Sequence, residues 1–99
     1  MIHEFEESLA IDGEFQEPEQ YRIILFNDDY TTKDFVVAVL KNIFHKSSED
    51  AVTLMEEVHK KGRAIIGVYV YDIAATRVEQ VRSNARSYGF PLRCELEKI

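Results

Sequence analysis

The sequence predicts a two-layer α+β domain of about eighty residues, with elements in the order β-α-α-β-α-β. Three observations predict it. Three apolar runs carry the composition or the period-two alternation of strands. Three stretches place apolar residues at helical spacing, each bounded by Ser, Thr, Asn, Asp or Gly. The chain has 99 residues, 45% apolar and 11% aromatic, which suffices for one modest core and only one.

The first strand is Tyr21 to Phe26, Tyr-Arg-Ile-Ile-Leu-Phe, long enough to be buried and stopped by Asn27, Asp28 and Asp29. Asx residues stop strands because their side chains bond the backbone just ahead and tolerate turn dihedrals. Thr31, with Asp34 three residues on, resembles a capping box and opens a helix whose apolar stripe is Phe35, Val36, Val39, Leu40, Ile43 and Phe44, reaching about His45. Ser47 caps the next helix. Glu49 and Asp50 suit its first turn, Ala51, Leu54, Met55 and Val58 form its stripe, and Lys60, Lys61 and Gly62 end it. From Arg63 to Tyr71 both alternating sets are apolar or aromatic, apart from Gly67, which predicts a central strand covered on both faces. Ala74, Val78, Val81, Ala85 and Tyr88 mark a third helix that stops at Gly89. Leu92, Cys94 and Leu96 then alternate with Arg93, Glu95 and Glu97 in a last strand, apolar inward and charged outward.

Charge divides the chain. The net charge is -6, yet seven of the 18 acids and none of the 12 bases lie in residues 1 to 20. Beyond them eleven acids face twelve bases, a balance of +1. Residues 1 to 19 therefore read as a flexible acidic N-terminal extension, with Ile2, Phe5, Leu9, Ile11 and Phe15 at no sustained period, and residues 20 to 99 as the folded domain. No basic face calls for nucleic acid. No apolar run approaches the roughly 20 residues of a membrane span, and no basic, then apolar leader opens the chain. Cys94 is alone, so neither a disulfide framework nor a zinc site of cysteine spacing is expected, and the cytoplasm is the expected compartment.

Two features exceed what folding requires. Asn27-Asp28-Asp29 offers an amide oxygen and two carboxylates, all acceptors, directly after an apolar strand. The plain reading is a helix-entry loop built from Asx turns; the sharper one is a site for a group that brings positive charge and N–H donors. His59 stands at the edge of the second helix's apolar face, where it is either an exposed boundary residue or a further acceptor. His3 and His45 have no evident partner and are expected in solvent. Paired carboxylates with a histidine also suit a divalent metal or acid-base work. Against catalysis, there is no HExxH, no phosphate loop, no GxSxG and no serine with an assigned base, so neither enzyme, metal nor cofactor is expected.

In order along the chain, Asn27-Asp28-Asp29-Tyr30-Thr31, Phe35-Val36, Leu54-Met55, Val58-His59, Gly62, Ala64-Ile65, Gly67-Val68 and Pro91-Leu92 with Cys94 and Leu96-Glu97-Lys98 resemble the ClpS family, adaptors of the bacterial Clp ATP-dependent protease. The resemblance covers roughly residues 20 to 99 and rests on several separated blocks. It implies a three-stranded antiparallel sheet packed with three helices, similar to the ribosomal L7/L12 C-terminal domain. It implies a non-enzymatic adaptor that binds N-degrons, proteins beginning with Phe, Tyr, Trp or Leu, and passes them to the ClpA AAA+ unfoldase for degradation by ClpP. Carried over by motif, Asn27, Asp28 and His59 engage the ligand's α-amino group, and Thr31, Val36, Val39, Met55, Val58 and Leu92 line or border the side-chain pocket. Asp72 and Arg77 match an acidic and a basic position facing the unfoldase, and the N-terminal extension is engaged by the unfoldase during delivery.

The chain departs from the family pattern at Thr32-Lys33-Asp34, where Pro-Met-Glu is usual. That Met lies at the pocket rim and helps exclude β-branched N-terminal residues, so Lys33 at the rim predicts weaker discrimination against Ile and Val. The alternatives are a protein-docking module of the L7/L12 C-terminal-domain type without N-degron binding, and a metal-dependent enzyme.

Overall fold

A computed structural model describes residues 18–99. Strand β1 (Gln20–Phe26) carries Ile23, Ile24 and Leu25 at 0 to 5% exposure because it is the middle strand of the sheet. Strand β2 (Arg63–Val70) lies antiparallel on one side and β3 (Arg93–Lys98) antiparallel on the other, giving the order β2-β1-β3. Helices α1 (Lys33–Asn42) and α2 (Ser48–Lys61) follow β1, and α3 (Tyr71–Tyr88) joins β2 to β3. The α+β class and the element order are those read from the sequence. Helix α3 lies across all three strands, α2 packs on β2, and α1 packs on α2.

The sequence predicted β2 as a central, doubly covered strand, and it is an edge strand. Ile23 pairs with Gly67 and Ile24 with Ile65, so Ile66 is the additional residue of a bulge. A bulge breaks the alternation of faces. Ala64 and Ile66 point into the core, but beyond the bulge Tyr69 packs against it and Val68 is left 49% exposed, with Ile65 at 51%. The space over Gly67 is filled by the Tyr69 ring, whose nearest atoms lie 2.8 Å from where a Cβ would stand.

Helix α1 is capped by Thr32, not by Thr31. Thr32 Oγ1 accepts from the Phe35 N–H at 3.1 Å, while Thr31 is held by Asp28. The helix stops at Asn42, short of the expected His45. The Ile43 N–H still reaches the Val39 carbonyl at 2.9 Å, but Lys46 N–H donates to the Leu40 carbonyl at 3.0 Å and His45 takes a left-handed φ of 56°. Helix α2 follows its prediction closely, with Ser47 Oγ accepting from the Asp50 N–H at 3.1 Å and Gly62 ending it at φ 89°. Helix α3 begins at Tyr71 with no linker, and Ala74, Val78, Val81 and Ala85 face the core; Tyr88 completes the predicted stripe yet is 68% exposed.

Arg82 fastens α3 to β3, donating to the Cys94 carbonyl at 3.2 and 2.9 Å and to Glu95 at 3.1 Å. Burial pushes the Cys94 thiol up to about 12, which keeps it protonated and inert. The Ile99 N–H donates to the Gln20 carbonyl at 3.0 Å, and Lys98 pairs with Glu19 at 2.9 Å, closing the domain where its two ends meet. Apart from Pro18 and Glu19, the predicted extension lies outside the described residues.

Candidate functional site

The site forms where β1 runs out. The Asn27 N–H donates to the Gly62 carbonyl at 2.8 Å, and the Gly62 N–H returns to the Val58 carbonyl at 3.0 Å. One left-handed glycine thus ties the Asn-Asp-Asp loop to the helical turn that bears Val58 and His59. A side chain at Gly62 would meet nothing within 4 Å, so glycine is required by the dihedral alone.

Asp28 organises the loop. Its Oδ1 accepts from the N–H groups of Tyr30 at 2.8 Å and Thr31 at 2.7 Å, and its Oδ2 accepts the Thr31 hydroxyl at 2.7 Å. Burial by itself raises the carboxyl's pKa, but the Thr31 N–H, the Thr31 hydroxyl and the Tyr30 N–H outweigh it and hold Asp28 below its ordinary value. The Asx turn of the plain reading is present, and it sets the loop beside His59 in the lining of one hollow.

Around this junction lies a hollow of about 240 Å³. Asn27, Asp28, Asp29, Thr31 and His59 supply its polar lining, Val36, Met55 and Val58 its apolar lining, and Lys33 its cation. Val36, Met55 and Val58 are buried residues of α1 and α2, so the apolar floor is part of the core. Two of the expected lining residues are elsewhere. Val39, about 60° around α1 from Val36, lines a different hollow. Leu92 is buried in the core just ahead of β3 and is not part of this lining.

Asp29, one of the two carboxylates of the acceptor motif, is not among the residues carried over by the resemblance. It lines the hollow, is exposed, and makes no hydrogen bond or ion pair with another described residue, whereas three donors already occupy Asp28. The signal was present in the doubled Asp; which of the two serves the loop depends on the turn. Lys33 lays its Nζ 3.4 Å from Glu56 Oε1 of α2, a partly exposed pair of small energetic weight.

Asp72 and Arg77 are not brought together, since five residues on a helix separate them by about 140°. Asp72 is exposed between Tyr71 and Ile73, which are 53% and 45% exposed. Arg77 is half-buried and donates to the Ile43 carbonyl at 2.9 Å, with its Nη1 3.5 Å from His45 Nε2, a neighbour the sequence did not suggest. His3 lies outside the described residues.

Among the described residues no three His, Cys, Asp or Glu side chains gather as a metal site, and no helix is long and apolar enough to cross a membrane. What the hollow offers is a ring of acceptors over an apolar floor. That arrangement suits a cationic head with N–H donors and an apolar side chain.

The family model for the ATP-dependent Clp protease adaptor protein ClpS matches residues 16–95. The chain belongs to the ClpS family. The ClpS adapter protein of Treponema denticola is 57% identical over 89 residues, covering 90% of this chain and 88% of that protein. That of Syntrophus aciditrophicus is 46% identical and covers all of this chain and 94% of its own. Among solved structures, ClpS2 of Agrobacterium tumefaciens, bound to L-phenylalaninamide, superposes with a TM-score of 0.81 at 35% identity, covering 84% of this chain and all of that one. By the family's name these are adaptors of a protease, not enzymes themselves.

Proposed function

We propose that this ClpS-family chain recognises N-degrons, proteins whose first residue is Phe, Tyr, Trp or Leu, and delivers them to a ClpA-type unfoldase for degradation by ClpP in the cytoplasm. The observation that carries the reading is the hollow itself, acceptors on one side and a buried apolar floor on the other. The L-phenylalaninamide on ClpS2 has the two complementary parts, a free α-amine and a bulky apolar side chain.

The α-ammonium carries three N–H donors, and beside an apolar side chain each needs an acceptor. Asn27 supplies an amide oxygen and His59 a ring nitrogen. Asp29 supplies a carboxylate with its lone pairs unspent, and Asp28 adds its charge while fixing the loop. Val36, Met55 and Val58 receive the side chain, whose burial is worth about 1.5 to 3 kcal/mol for Leu or Phe. Cavities of about 150 Å³ accept a benzene ring, so the size of the hollow suits one such side chain with its amine. For the unfoldase, the start of α3 is the proposed contact: Asp72 with Tyr71 and Ile73 beside it. Arg77 serves that surface by fixing α3 against the end of α1.

Titrating the full chain with a labelled peptide beginning with Phe, by fluorescence anisotropy, tests the amine reading against the same peptide N-acetylated. Acetylation removes the charge and two of the three donors and is expected to weaken binding about 100-fold, roughly 3 kcal/mol. Equal affinity for the two peptides overturns the reading.

A further inference from the structure

Between helices α1 and α3 lies a second hollow of about 430 Å³. Its lining includes Ile43, whose carbonyl accepts from Arg77 at 2.9 Å, and an aromatic cluster. The Phe35 ring centroid lies 4.9 Å from that of Phe90 and 5.3 Å from that of Tyr88, at tilted angles. Val39 and Ile43 form a buried floor, and Ala38 on α1, exposed and small, leaves the notch open.

We propose that this groove binds an arginine side chain presented by an extended segment of a partner protein. Charge and shape choose the occupant. The one formal charge in the lining is the Asp34 carboxylate, exposed and without a partner among the described residues, so the groove selects for a cation. Three aromatic rings beside it favour a planar, delocalised cation over a compact ammonium, because a guanidinium stacks on ring faces and is more weakly hydrated. The floor of Val39 and Ile43 covers the methylene stem of such a side chain. Asn42 and Asn84 stand on opposite walls, exposed, and neither side chain bonds another described residue; each offers a donor and an acceptor to the backbone of the incoming segment. This site is separate from the amine-binding hollow and uses none of its lining residues.

The probe is the capped peptide acetyl-Leu-Arg-Leu-amide, which has no α-amine and so cannot satisfy the first hollow. Titrated into the ¹⁵N-labelled full chain, it is expected to shift the amide signals of Ala38, Val39, Asn42, Asn84 and Phe90 and to leave those of Asn27 and His59 in place. The same peptide with citrulline for arginine keeps the shape and loses the charge, and it should bind at least about fivefold more weakly. Asp34→Asn and Tyr88→Ala alter exposed side chains, and each should reduce arginine-peptide affinity several-fold while the free-amine Phe peptide binds as before. The proposal is overturned by absence of shifts at these residues, by equal affinity for the citrulline peptide, or by unchanged affinity in both variants. None of these outcomes bears on amine recognition, which fails or stands on the acetylation test.

Discussion

Asp28 and Asp29 are chemically identical neighbours with different work, and the difference is measurable. Asp28→Ala removes three acceptor bonds from the loop and is expected to cost about 1 to 2 kcal/mol of stability as well as peptide affinity. Because the folded state holds the Asp28 carboxyl below its unfolded value, its contribution is present above the ordinary carboxylate range and is lost as pH falls through the lowered value. The melting-temperature gap between the chain and Asp28→Ala should therefore shrink on strong acidification, and a gap independent of pH refutes this account. Asp29→Asn should leave the melting temperature unchanged and lower affinity for a Phe-starting peptide several-fold. Lys33 is a third residue with a single role to test. Its ammonium is drawn toward Glu56 on α2, which leaves a flexible stem at the rim. An Ile-starting peptide should bind within about tenfold of a Leu-starting one, and Lys33→Met should widen that gap. An unchanged ratio in the variant removes Lys33 from selection.

At the scale of elements, the junction of β1 with α2 is the feature on which the site depends. Gly62→Ala forces a residue with a Cβ into the left-handed region at a cost of about 1 to 2 kcal/mol. It also disturbs the carbonyl that anchors Asn27. Peptide affinity should fall further than the loss of stability explains, read as a higher Kd at a temperature where the variant remains folded. Helix α2 was legible end to end because its signals are local: Ser47 bonds within one turn, and Gly62 ends the helix by its own dihedral. The start of α1 was misplaced by one residue because Thr31 and Thr32 are equally good caps, and a tertiary choice by Asp28 decided between them. Strand β2 misled for a different reason. Its bulge depends on pairing with Ile23 and Ile24 in another strand, and no pattern within Arg63–Val70 shows it. In the candidate site, local motifs brought Asn27, Asp28 and His59 into view and the resemblance added Thr31, whereas the placing of Val39 and Leu92 outside this lining depends on the packing of α1 and of the segment before β3.

For the whole molecule, the charge asymmetry of the sequence acquires a boundary. The sheet closes where Ile99 meets Gln20, and everything that lines either hollow lies beyond that point. We propose residues 1–19 as an extension that serves delivery and not recognition. Deleting residues 1–17 should leave the melting temperature and the affinity for a Phe-starting peptide unchanged, and loss of either contradicts that division. One further consequence comes from α1, which is a party wall. Lys33 and Val36 line the hollow at the end of β1, while Thr32, Asp34, Phe35, Ala38 and Val39 line the other. Only an occupant that shifts this ten-residue helix would couple the two rooms, and thermodynamic reciprocity then requires that the factor by which a captured N-terminus changes arginine affinity equal the factor by which arginine changes the grip on the N-terminus, a factor of one where Asn27 and His59 stay in place.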